Sequence, residues 1–134
     1  LISPASARQF EQPSTGRLFT ATGGGFFHNH TIGLYQAALV SRTPGTLVQW
    51  FVDDPGQPSA ATALLDIPPL REKLLAASLD APIGLWGVPL ARLDEFLDIA
   101  RHGRFILGLS PAPETPDSDL ARLLRRARAA SNLA

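Results

Sequence analysis

The 134-residue chain has no cysteine, no methionine and a single lysine, Lys73, against eleven arginines. Without cysteine there are no disulfides, no thiolate metal sites and no thiol nucleophile. The missing methionine extends to position 1, and the expectation is a chain that begins after processing or as an excised domain. The arginine bias, with abundant Ala, Leu and Pro, suggests a bacterial source of high genomic GC content.

Net charge is also missing: twelve basic and twelve acidic residues cancel. A neutral protein has no global electrostatic reason to seek nucleic acid, so nucleic acid is not an expected partner. No window reaches the roughly 18–20 apolar residues of a membrane span, and 1–16 is too polar for a signal peptide. The cytoplasm is therefore the expected location, with a processed exported protein as the alternative. Hydrophobic content of 45% with 18% charged residues is that of a folded domain.

The pattern along the chain divides it into an N-terminal arm or linker, 1–16, and one α/β domain, 17–134. The arm carries Pro4, Pro13 and Gly16 without a sustained period, and Phe10 is its one residue expected to reach the core. Arg17–Thr22 reads as a short strand. Thr31, Ile32, Tyr35, Leu39 and Val40 favour a strand over 26–42, although Tyr35-Gln36-Ala37-Ala38-Leu39 also suits a helical turn. Thr43-Pro44-Gly45 is a tight-turn signal before Thr46–Val52, the clearest strand of the first half. Together they suggest a β-hairpin.

Beyond Ser59 the signals are helical. Ser59 is a plausible N-cap, and Pro69 can occupy the first turn of a helix to about Leu79 that buries Leu70, Leu74, Leu75 and Leu79. Pro82–Val88 and Arg104–Leu109 are apolar strands. Pro89 opens a helix to His102 with Leu90, Leu93, Leu97 and Ala100 inside. Thr115-Pro116-Asp117 starts a last helix with Leu120, Leu123, Leu124 and Ala127 inside. Two strand–helix units in succession argue for parallel strands. The expected fold is a single α/β domain: an N-terminal β-hairpin joined to a βαβα half, with helices covering a mixed sheet.

The most distinctive stretch is Thr22–Thr31, with three consecutive glycines, Phe26-Phe27 and a His-x-His pair. On a strand, His28 and His30 share one face. With His102 they could form a three-histidine metal site of the hydrolytic kind, yet no acid follows within Thr31–Ser41 to complete the set. The simpler expectation is that His28 and His30 flank a polar turn, with no metal and no cofactor. Gly23–Gly25 could cradle a phosphate, but the chain supplies no Gly-Lys-Ser/Thr; a hairpin connection or a bulge with close backbone approach fits the run better.

Asp53-Asp54 closes the strongest strand, where paired acids can bind a divalent ion or share a proton, although Asp before Pro-Gly also suits a turn. Ser110 follows an apolar strand but lacks a Gly-x-Ser-x-Gly elbow. Arg122, Arg125 and Arg126, with Arg128 beside them, make the only charge cluster; a solvated helix face explains them better than a nucleic-acid site.

Phe26, Phe27, Tyr35, Trp50 and Phe51 are half of the ten aromatic residues. Strand alternation sends Trp50 and Phe51 to opposite faces, so a sheet covered on one side only would expose one of them. The leading expectation is a non-catalytic protein-interaction or assembly module acting through this aromatic-rich surface, with a protein partner or self-association. The alternative is a small hydrolase or metal-dependent enzyme using His28 and His30 with Asp53 or Asp54. A third expectation is a ligand site in the loops after Val88 and Leu109, at the carboxyl edge of parallel strands.

Overall fold

The computed structural model describes residues 3–109 and 114–131. A helical N-terminal segment comes first: α1 (Pro4–Ser6), a π-helical stretch (Ala7–Glu11) and α2 (Gln12–Thr22). Four strands follow, β1 (Gly25–His30), β2 (Thr46–Val52), β3 (Ile83–Val88) and β4 (Phe105–Leu109), in the spatial order 1-2-3-4. Every neighbouring pair is parallel. The helices are α3 (Ala37–Ser41) between β1 and β2, α4 (Ala60–Asp66) and α5 (Pro68–Asp80) between β2 and β3, α6 (Leu93–Ala100) between β3 and β4, and α7 (Asp117–Ser131) after β4.

The expected hairpin and mixed sheet are therefore wrong. Residues 31–41 form a 3-10 segment (Thr31–Gln36) and α3, and this crossover returns the chain to start β2 parallel to β1. Thr43-Pro44-Gly45 does turn, with Gly45 at φ 80°, but it ends a helix instead of joining antiparallel strands. Arg17–Thr22 is likewise helical and not a strand, and Phe10 is exposed rather than anchored in the core. Ala7 is the buried residue of that segment.

The triple glycine closes α2. Gly23 takes the left-handed conformation at φ 80°, and the Gly24 N–H donates to the Phe19 carbonyl at 2.7 Å, which stops the helix with its last carbonyls satisfied. Gly24 at φ 125° and Gly25 then pass so close to Leu47 and to the Phe19 ring that neither has room for a Cβ. A register shift between Gly25 and Phe26 marks a bulge at the start of β1. The close-approach expectation holds, and the hairpin connection does not.

The signals after Ser59 are largely borne out. The Thr62 N–H donates to Ser59 Oγ at 2.9 Å, capping α4. The buried faces differ in detail: Leu79 and Leu124 are exposed, while Phe96 is fully buried and packs edge-on against Phe105. Helical spacing located the stripes, but the tilt of each helix on the sheet decides which edge of a stripe stays dry.

The described helices lie on one face of the sheet. Phe51, Ile83 and Leu85 point to that side and pack with Leu64, Leu74, Leu93 and Phe96 to form the core. A buried polar link adds to it: Gln49, with 0% exposure, accepts from Asn29 Nδ2 at 3.2 Å. Its amide nitrogen donates to the Ala37 carbonyl at 3.0 Å and to the Ser41 hydroxyl, tying β1, β2 and α3 together. Burying this polar side chain is tolerable because both ends are bonded.

On the other face, each tryptophan lies over a glycine of the next strand. A Cβ at Gly84 would collide with the six-membered ring of Trp50, and one at Gly108 with that of Trp86. The two indoles meet edge to face at 5.2 Å. Gly84→Ala should displace the Trp50 ring and lower stability by about 1–3 kcal/mol, read from the urea midpoint. Phe51→Ala, which opens a cavity on the covered face, should cost about 3–5 kcal/mol in the same assay.

Candidate functional site

Parallel strands with helical returns send all four carboxyl ends to one edge, and on open sheets that edge is where ligands bind. Here β1 ends in His30 and β2 runs into Asp53-Asp54. The two strands are neighbours, with His30 level with Val52. The sequence-distant histidines and acids are thus brought together by adjacency in the sheet.

His28 and His30 project from the face that carries no helices. Their rings are stacked, with centroids 5.2 Å apart and planes within 11°. They belong to β1, with His30 its last residue before the 3-10 segment, so the expectation of a shared strand face holds. His30 Nδ1 lies 2.8 Å from Asp54 Oδ1. The second carboxylate oxygen of Asp54 accepts from the Ile32 N–H at 2.9 Å and from the Thr31 hydroxyl at 3.3 Å. Thr31 in turn accepts from the Asp54 N–H at 2.9 Å. Asp54 thereby satisfies the start of the 3-10 segment and orients the imidazole.

The Ile32 N–H is the main reason that the Asp54 carboxyl is held below its ordinary value; His30 and the Thr31 hydroxyl add to it, and desolvation opposes. With Asp54 on Nδ1, the hydrogen bond favours the tautomer protonated there and leaves Nε2 as the acceptor. This is the arrangement by which a carboxylate prepares an imidazole to take a proton. The partners of this imidazole are in contact, but half of the His30 side chain is still in water, at 54% exposure.

The neighbouring acid does something else. Asp53 points its Oδ1 at the Ala60 N–H, 3.2 Å away, at the start of α4. A Cβ at Gly87 of β3, where φ is 68°, would lie 3.5 Å from its other oxygen. Asp53 and Asp54 therefore bond to different elements.

The remaining candidates are dispersed. His102 precedes β4 and so lies at the opposite end of the strands from His30. No group of three histidines, cysteines or acids suited to a metal ion exists among the described residues. Arg122 pairs with Asp119 at 3.1 Å and Arg126 with Asp94 of α6, as a solvated helix face would; Arg125 is exposed. Ser110 lies outside the described residues. A trough of about 710 Å³ runs between α2 and the turn before β2, lined by Gln12, Arg17, Thr20, Arg42 and Pro44. It lies at the amino ends of the strands, away from the histidines.

The aromatics separate by face. Phe26 is exposed on the helix-free side and Trp50 half-buried there, whereas Phe51 is buried in the core. Phe27 turns to the helix side and meets Phe19 edge-on at 5.2 Å. Tyr35 lies on the 3-10 segment, where its hydroxyl accepts from Gln36. Trp86 and Ile106, neither singled out from sequence, complete the helix-free face at 49% and 46% exposure. Their signal was the same alternation that separated Trp50 from Phe51. Trp50 Nε1 is buried with no hydrogen-bond partner among the described residues.

No family model matches this chain, and neither a curated protein nor a solved structure is similar to it.

Because its pKa is lowered on folding, Asp54 stabilises the fold fully above the ordinary carboxylate range, and that contribution disappears as pH falls through the folded value. Asp54→Asn should therefore be less stable than the native chain near neutral pH, with the difference closing below about pH 4. Urea titrations at several pH values measure this. Carbon-detected NMR on Thr31→Val should show the Asp54 carboxyl titrating closer to its ordinary value.

Proposed function

We propose that this chain is a non-catalytic protein-interaction or assembly module that works through the helix-free face of its sheet. The observation that carries this reading is the one-sided placement of the helices, which leaves Phe26, Trp50, Trp86 and Ile106 on a face that no other described element covers. Parallel sheets are ordinarily buried on both sides, and apolar surface gathered in one patch is typical of contact sites. The aromatic content fits, since tryptophan and its neighbours supply much of the binding energy where partners meet.

A second reading is favoured by the His30–Asp54 pair: a small hydrolase in which His30 Nε2 takes a proton from water or a hydroxyl. Asp54 would hold the ring, and His28 would share the site. Among the described residues the hydrogen-bond partner of the His30 ring is Asp54 and no nucleophile is hydrogen-bonded to it, so this reading stands behind the first.

The two are separable. Under the assembly reading, acrylamide quenches the tryptophan fluorescence of dilute protein strongly and of the assembled protein weakly. Equal quenching in both states argues against it. Under the hydrolase reading, turnover of p-nitrophenyl acetate exceeds that of free imidazole and falls by about a hundredfold in His30→Gln. A rate matching free imidazole removes that reading.

A further inference from the structure

The helix-free face carries large and small residues in an order suited to a closed barrel. At one level across the strands lie His28, Trp50, Gly84 and Ile106. At the next, His30 is level with Val52, and Trp86 lies on Gly108. Each indole thus occupies the space that a glycine vacates on the following strand. Small barrels fill their interiors by such alternation of large and small inward residues.

The sheet also has two complementary edges. β1 and β4 are its outermost strands, they run in the same direction, and no backbone hydrogen bond of a described residue caps the outer side of either. α2 packs on the helix side, through Phe19 against Phe27. A half-turn about an axis along the strands sets β4 of one copy beside β1 of a second, twice over. The result is eight parallel strands with the helices outside, the number at which inward side chains fill the barrel. The symmetry closes, so growth stops at two.

The unpaired edges decide between this and simpler docking. Phe26, Trp86 and Ile106 are exposed on the face, but a partner that covered the face alone would leave both edges unpaired. A second copy adds two strand pairings and the flanking helices to the same contact.

We infer that the occupant of the helix-free face is a second copy of this chain, closing with the first into an eight-stranded parallel barrel. This rests on the reading of that face as an assembly surface. Closure encloses the indoles and brings two His28–His30 pairs to the carboxyl-end mouth of one barrel.

Sedimentation equilibrium of the purified chain, with small-angle scattering, tests it. The expected particle is a dimer with a radius of gyration of about 18 Å, that of one compact body of twice the chain length. Ile106→Asp and Phe26→Asp, on different strands, should each weaken dimerisation at least tenfold while keeping the native circular dichroism. Leu79→Asp, at a residue 62% exposed on the helix side, should leave dimerisation unchanged. A different stoichiometry, an elongated dimer, or a dimer indifferent to both face variants overturns the barrel. A monomer at the highest concentration also overturns it, and an environment-sensitive dye then locates the fault. Dye binding that is lost in Ile106→Asp leaves the assembly reading standing with another partner, whereas no dye binding removes both.

Discussion

One-handed winding is the constraint on which the rest of this structure depends. When successive parallel strands are laid side by side in chain order, each crossover passes over the same face, because a right-twisted strand returns that way. Nothing then reverses direction to place a helix on the other side. The core of Phe51, Ile83, Leu85, Leu64, Leu74 and Phe96 forms on the helix side alone. The same winding delivers every strand end to one edge and leaves the first and last strands without an outer neighbour.

The carboxyl edge inherits its chemistry from that order. β1 and β2 are neighbours in space because they are consecutive in sequence, so His30 and Asp54 need no long-range accident to meet. The two adjacent acids divide their work by alternation. Asp53 turns to the Ala60 N–H, and Asp54 to Ile32, Thr31 and His30. Asp54 has a structural role at the start of the 3-10 segment whether or not His30 reacts with anything. The His30 contact is the part of its environment that this role does not require.

Local chemistry was legible in the sequence where a residue pair decides it, and illegible where adjacency does. The Ser59 cap, the proline starts of helices, the strands 83–88 and 105–109, and the shared face of His28 and His30 all follow from spacing of a few residues. Thr43-Pro44-Gly45 misled because the same turn residues end a helix as readily as they join a hairpin. What separates the two outcomes is whether residues 31–41 coil, and Thr31, Ile32 and Tyr35 locally favour extension while the tertiary fold overrides them. The Asp54–His30 contact depends on β1 and β2 running in the same direction, whereas a hairpin sets its strands in opposite directions. Trp86 and Ile106 were hidden for a related reason: an all-apolar strand reads as buried on both faces, and only the one-sided winding exposes alternate residues.

The helix-free face and the histidine pair are not independent features. His28 stands level with Trp50, and His30 with Val52, so the imidazoles occupy the same surface as the indoles and differ only in height along the strands. By laying Trp50 over Gly84 and Trp86 over Gly108, the chain flattens its aromatics against its own backbone. That packing reduces the area left in water without removing it, since Trp86 remains half exposed. A body that covers the indoles must also border His28, and one that reaches the carboxyl ends must border His30. Its arrival would lower the dielectric around the His30–Asp54 hydrogen bond and strengthen it. The aromatics and the imidazoles are therefore coupled by position: a body bound to the aromatics would also set the environment of the imidazoles.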